Sequence, residues 1–305
     1  MKFYYNSNMM NIYDCFQYFD EDLLLDIRLN ILDQYVKKFV ITEATYTHNG
    51  SKKKLNFDIN NFKKFKEKIE YIIVDDPPTK LLKLEDNEPE HKRGEKLILN
   101  GMARDYFQRE NLLKGLKKCD ENDIVLISDL DEIPNLLRVN FSSIKNKIII
   151  FEQKMFYYKL NLLYENYNWY GTKACRKKHL ISPQWLRNIK PNMYSKWRID
   201  LLLSKKKYSD IFFVKDGGWH FTYLKSPEKL EKKLLNFAHH YEFEQSGLKL
   251  SDIKKFMSER RVVYDHNVDQ KTFKWSGKSK LTKIENSSLP EYIHKNLNEF
   301  KIWLD

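Results

Sequence analysis

An apolar run, Ile124-Val125-Leu126-Ile127, passes through Ser128 straight into Asp129-Leu130-Asp131-Glu132. An unbroken apolar run of this length is the pattern of a strand buried on both faces. In open α/β sheets, ligands bind outside the carboxyl ends of such strands. Carboxylates crowded there repel one another and are costly to desolvate. A divalent cation with oxygen ligands relieves both effects and keeps positions open for phosphate oxygens. Asp129 and Asp131 are therefore expected to ligate metal, with Asp129 also facing the cofactor or donor. An Asp-x-Asp pair alone is as often a solvated acidic turn; its place after a buried strand is what gives it weight.

Two further groups carry chemistry. In Asp216-Gly217-Gly218-Trp219-His220-Phe221, the glycines permit close backbone approach or unusual φ/ψ. His220 then enters a strand, where a neutral imidazole can complete a metal shell. Carboxylates with an imidazole favour Mn²⁺ over Mg²⁺. The alternative is a core histidine packed beside Trp219. In Met102–Asn111, Arg104 and Arg109 are each able to grip a diphosphate bidentately. Arg109 also lies four residues after Asp105, the acid-before-base spacing of a helix ion pair.

These groups need a frame. Strands are expected at 12–19, 38–44, 71–76, 124–128 and 147–161, with two short strands within 211–224. Helices are expected after a cap at Asp20, at about 59–69, 96–118 and 251–261, and from Ser226-Pro227. Residues 77–96 read as a long loop, 162–210 as irregular, and 262–305 as a weakly patterned tail. Alternating strands and helices predict an α/β fold with a mostly parallel sheet. Residues 10–265 are taken as the catalytic domain and 266–305 as an extension packed on it.

Composition is consistent with a folded enzyme. The chain has 305 residues, 42% of them hydrophobic, and a formal charge of +12. Such a charge suits an anionic ligand or surface, although no block of five like charges forms a basic arm. Cys15, Cys119 and Cys175 show no CxxC spacing, against a zinc site or disulfide framework. Neither a signal-peptide pattern nor a run of 18 apolar residues occurs. The expected location is the cytoplasm, with at most peripheral contact to a membrane.

Five blocks in order, YDCFQYFDEDLLLDIRLNIL, KFVITEATYTHNG, ARDYFQREN, IVLISDLDEIP and GGWHFTYL, resemble glycosyltransferase family 17 over roughly residues 10–265. The resemblance implies a GT-A fold, an inverting mechanism, a UDP-sugar donor (UDP-N-acetylglucosamine first) and Mn²⁺ or Mg²⁺. It assigns the DxD role to Asp129 and Asp131 and a metal-ligand role to His220. The partners it implies are a nucleotide sugar and a glycan or lipid-linked saccharide acceptor, not nucleic acid. Glu43, Asp75 and Asp76, at the ends of two strands, are candidates for ribose, uracil or sugar hydroxyls.

The catalytic base must lie near the metal without ligating it. Glu165, Asp200, Asp210, Asp216 and Glu242 are the candidate carboxylates after the acidic motif. Glu242 is expected to close the helix begun at Ser226, where the negative dipole end strengthens a proton acceptor. It also resembles, with His240, an H-x-E element of the family, and is the first choice. Asp200, beside Arg198, is the second. Two other classes remain at this level: a metal-dependent phosphodiesterase or nuclease, and a non-catalytic glycan-binding module.

Overall fold

The computed structural model describes residues 10–192, 194, 204, 206–236, 240–268 and 273–305. Among the described residues, twelve strands run in chain order: β1 (Ile12–Gln17), β2 (Lys38–Ala44), β3 (Ile69–Val74), β4 (Ile124–Asp129), β5 (Glu132–Pro134), β6 (Ile148–Phe151), β7 (Gln153–Tyr157), β8 (Leu162–Trp169), β9 (Lys173–Arg176), β10 (Ile211–Val214), β11 (Gly218–Thr222) and β12 (Thr282–Lys283). The helices are α1 (Asp22–Leu32), α2 (Glu90–Glu110), α3 (Pro183–Asn188), α4 (Pro227–Asn236), α5 (His240–Ser246), α6 (Leu250–Ser258) and α7 (Glu291–Lys295).

Seven strands form the central sheet in the order β10-β6-β9-β4-β1-β2-β3. All neighbours are parallel except those of β9, which is antiparallel to β4 and β6. The expected mixed, mostly parallel sheet flanked by helices is what forms. Alternation sets its two faces. On β4, Ile124 and Leu126 join the core under α1, while Val125 and Ile127 join the core on the opposite side with Leu112, Leu116 and Leu186. Each such fully buried aliphatic side chain contributes about 1.5–3 kcal/mol.

A second sheet, β12-β8-β7-β11-β5, packs beside the first. The chain steps between the two sheets five times, through residues 130–131, 135–147, 152, 170–172 and 215–217. Asp129 is thus the last residue of a central strand and Glu132 the first residue of the second sheet. The acidic motif is the corner itself. Gly217 and Gly218 make another corner possible: Gly218 has φ +135°, and a Cβ there would run into the carbonyl of Ile133. Asp216 precedes them with φ +47°.

Several sequence expectations change. Asp20 does not cap α1: Glu21 is the cap residue, without a side-chain cap bond, and Asp20 instead accepts from Lys225 at 2.5 Å. The stretch 147–161 is two strands in different sheets, parted at Glu152. The supposed loop 77–96 ends early, because α2 begins at Glu90; its first turns are largely solvated and show no apolar stripe. Residues 162–210 hold β8, β9 and α3. The tail is integral: β12 pairs with β8, Leu289, Ile293 and Phe300 join the core under α1, and Leu160 donates to the Trp303 carbonyl. Asp265 accepts from the backbone of both Asn267 and Ser279, tying the extension to the residue before it.

Candidate functional site

The strand order reverses between β1 and β4. The chain builds β1, β2 and β3 outward in one direction and then returns to place β4 on the other side of β1. A crevice opens at such a switch point, beyond the strands' carboxyl ends. In register, Gln17 at the end of β1 lies beside Asp129 at the end of β4. A cavity of about 350 Å³ occupies this place, walled by Tyr18, Phe19, Tyr46, His48, Arg109 and Lys233 together with Asp129 and Asp131.

The acidic corner is held by a buried arginine. Arg28 on α1 is fully buried. Its Nε and Nη2 donate to both oxygens of buried Asp14 at 2.8 and 2.6 Å. Nη2 also reaches Ser128 Oγ at 2.6 Å. Nη1 reaches the carbonyls of Asp129, Leu130 and Glu132 at 3.1, 3.2 and 2.8 Å. The rigid, planar donor set of a guanidinium suits this cluster, and a lysine has no comparable fork. Asp14 faces α1 because it shares the strand face of Phe16, two residues on.

Around the corner lies a network of three carboxylates and two guanidiniums. Arg109 donates to Asp105 at 3.0 Å through each terminal nitrogen, to Asp129 Oδ1 at 3.0 Å and to Gln184 at 2.6 Å. Arg187 reaches Asp129 Oδ2 at 2.7 Å and both oxygens of Glu132 at 2.9 and 2.6 Å. Glu132, with no exposed surface, also accepts from the Asp129 amide at 2.8 Å and from Trp169 Nε1 at 2.5 Å. Burial works against charge on Asp129, yet Arg187 and Arg109 hold its carboxyl well below the usual carboxylate range. Its side chain is 40% exposed, so water tempers this attraction. Arg187 responds in kind: burial opposes its charge, but Asp129 and Glu132 hold its proton more tightly than usual.

Asp131 faces the other way. Its Oδ1 lies 3.5 Å from His220 Nε2, and its carbonyl accepts from the Phe221 amide at 2.9 Å. Burial opposes its charge, but His220 and Lys233 outweigh that and leave its pKa below the ordinary value. His220 is nearly buried, and its Nδ1 has no hydrogen-bond partner among the described residues. Nε2 is therefore the ring nitrogen that could share a cation with Asp131, while Nδ1 faces away from that carboxylate. Among the described residues no group of three or more His, Cys, Asp or Glu side chains makes a metal cage. The pair Asp131–His220 still fits a divalent cation of the kind held by one or two protein ligands plus substrate phosphates. Asp129, gripped by two guanidiniums, would have to give up one of them to join.

The remaining sequence candidates are dispersed. Arg104 donates to the His48 carbonyl at 3.0 Å, bracing the loop that brings His48 to the cleft. Glu43 is fully buried and accepts from Lys53, from the amides of Asn56 and Phe57, and from Tyr71 at 2.8 Å. It anchors the 53–57 segment to the sheet and does not line the cleft. Asp75 and Asp76 are exposed beyond β3, outside the cavity wall. Glu242 stands in the first turn of α5, not at the end of the helix begun at Ser226, which reverses the dipole argument made for it. It borders a separate hollow with His91, Gly94 and Tyr241. Asp200 lies outside the described residues. Asp210 is tied to Asn146 and the Lys147 amide at 2.8 and 3.1 Å, and Asp216 is exposed near Lys154.

Residues 3–305 match the sequence profile of glycosyltransferase family 17. The chain belongs to that family. Family 17 membership makes it a glycosyltransferase, with a sugar donor and a glycan acceptor as its reaction partners, in place of the nuclease and binding-module alternatives. No curated protein matches the chain. A solved structure of HddC from Yersinia pseudotuberculosis complexed with GMP-PN is similar at 14% identity, over 67% of this chain and 90% of that one, with a TM-score of 0.30. That superposition is too poor to bear on fold or ligand. No helix among the described residues of this family 17 chain is long and apolar enough to cross a membrane.

Sequence reasoning missed Arg187, Glu132's role, Arg28, His48 and Lys233. Arg187 was within reach: Ser182-Pro183 carries the same cap-then-proline signal that located α4, and Ser182 does accept from the Trp185 amide at 3.2 Å. Arg28 gave no signal, because a helix arginine normally points to solvent.

Proposed function

We propose that this chain is a metal-dependent, inverting transferase of the GT-A type. It moves a sugar, N-acetylglucosamine before others, from a UDP-sugar to a hydroxyl of a glycan or lipid-linked saccharide. One observation carries the reading. The switch-point cavity between β1 and β4 gathers Asp131, backed by His220, with the cations Arg109 and Lys233 and the aromatic wall of Tyr18, Phe19 and Tyr46. Rings suit a nucleobase, and cations suit a diphosphate. The strand order, with an antiparallel strand set beyond β4, supports the GT-A assignment.

Asp131 and His220 are the residues that would hold the cation. A bound divalent cation would offset the charge on the departing nucleoside diphosphate. Arg109 and Lys233 bring positive charge to the same cavity from two helices, fixed before any ligand arrives. Lys233 is already ionised firmly: burial opposes its charge, and Glu21 and Asp131 outweigh that. Direct inversion needs a single carboxylate to take the acceptor's proton. Asp105 and Asp129 both border the donor cavity and a second hollow beyond it. Asp129 is claimed by two guanidiniums and Asp105 by one, so Asp105 takes the role of base in this proposal.

Calorimetry with UDP, with and without Mn²⁺, tests the reading. Binding should need the metal and should be lost in Asp131→Ala. Binding of GDP-sugars with none of UDP-sugars, or undiminished metal-dependent UDP binding in Asp131→Ala, would reject it.

A further inference from the structure

On the far side of Asp105, Arg109 and Asp129 lies a second hollow of about 420 Å³, within the size range of small-molecule sites. Its walls are aromatic: Tyr106 from α2, and Tyr167, Trp169 and Tyr170 from β8 and the turn that follows. The cations that border it are all engaged. Arg109 and Arg187 are bound to Asp105, Asp129 and Glu132, and Lys173 donates to the carbonyls of Arg187 and Ile189 at 2.5 and 2.6 Å. The hydroxyls of Tyr106, Tyr167 and Tyr170, by contrast, have no hydrogen-bond partner among the described residues. A neutral, polyhydroxylated ring would find rings to stack on and phenols to bond.

The geometry points to this hollow as the acceptor subsite, binding a pyranose of the acceptor with one C–H face against Trp169 and its hydroxyls on the surrounding tyrosines. Pyranose C–H groups are weakly positive, and the face of an indole is negative. Trp169 is set in advance. Its Nε1 is tied to buried Glu132, and its ring packs against His220 and His266 at 4.9 and 5.6 Å between centroids. A ring already fixed loses little freedom when a ligand stacks on it. Gly171 makes the tie possible, since a Cβ there would overlap both Glu132 and Trp169 Nε1. A sugar in this hollow would present its hydroxyl across Asp105 and Asp129 toward the donor cavity. The assignment as acceptor subsite rests on the transferase reading above; the binding of a saccharide does not.

Saturation-transfer NMR on the full chain tests it, using the methyl pyranosides of glucose, galactose, mannose and N-acetylglucosamine as probes, with and without UDP and Mn²⁺. At least one pyranoside should bind without being displaced by UDP. Trp169→Ala and Tyr106→Ala should each weaken it by about tenfold or more, and in Tyr106→Ala UDP binding by calorimetry should stay as in the parent. Tyr106→Ala breaks no hydrogen bond and keeps the test valid if Trp169→Ala misfolds. No pyranoside binding, displacement by UDP, or unchanged affinity in Tyr106→Ala would overturn the assignment. Pyranoside binding without any UDP binding would uphold the saccharide site and count against the donor reading alone.

Discussion

Arg187 is the residue whose loss should be felt most widely. It is the cation for Glu132, a carboxylate with no exposed surface, and one of two for Asp129. In Arg187→Ala, Glu132 keeps only the Asp129 amide and the Trp169 N–H as donors. Removing one partner of a buried ion pair costs about 3–5 kcal/mol, because the other charge stays behind unpaired. Asp129 adds little to that figure, since its exposed side chain can turn to water. At about 2–4 °C per kcal/mol for chains somewhat shorter than this one, melting should fall by on the order of 10 °C. The double variant Arg187→Ala/Glu132→Gln removes both charges and should recover more than half of the loss. Calorimetric melting of parent, singles and double at neutral pH measures this. If Arg187→Ala melts within about 2 °C of the parent, the burial and pairing argued here for Glu132 are wrong.

Three other outcomes follow from the same geometry. Asp105→Asn should leave UDP and Mn²⁺ binding intact while turnover falls about 10²–10⁴-fold; near-normal turnover would refute Asp105 as the base. Gly171→Ala should force Glu132 and Trp169 apart, lowering the melting temperature and activity together, whereas a neutral effect would show that the corner has slack. Burial, then Arg187, pushes the Lys173 ammonium down to about 7 from its ordinary value of 10.5. Between those values the unfolded chain binds the proton and the folded chain does not, so this group makes stability rise with pH from about 7 to 10. Denaturant melts across that range should show a shallower rise in Lys173→Met, and identical slopes would refute the shift.

The legible part of this protein is what repeats along the chain. β1, β2 and β4 announce themselves as apolar runs, and β2 was placed at its observed bounds, because strands buried on both faces leave no other pattern. The Asp129–Glu132 corner was found for the same reason: its acids interrupt such a run. The paired glycines 217 and 218 were read as a point of close approach, and they are one. What stayed hidden is amphipathic or depends on partners far along the chain. β8 is built of tyrosine, asparagine and tryptophan, which bury a ring and expose a polar edge, so its alternation is muted. The first turns of α2 have no apolar stripe. Arg28 and Arg187 look like surface residues until Asp14, Ser128 and Glu132, from 14 to 104 positions away in sequence, surround them. Glu242 sits in the first turn of α5 and not at the end of α4, because a new helix starts at His240 within one run of helix-forming residues.

The central claim is that Asp131 and His220, at the switch point between β1 and β4, hold a metal-bound UDP-sugar. Anomalous diffraction at the manganese edge, from crystals grown with UDP and Mn²⁺, tests it most directly. The account predicts one manganese peak in contact with Asp131 and His220, with the uracil against the Tyr18, Phe19 and Tyr46 wall. A manganese peak elsewhere, or UDP bound in the hollow lined by Trp169 and Tyr106, would contradict it.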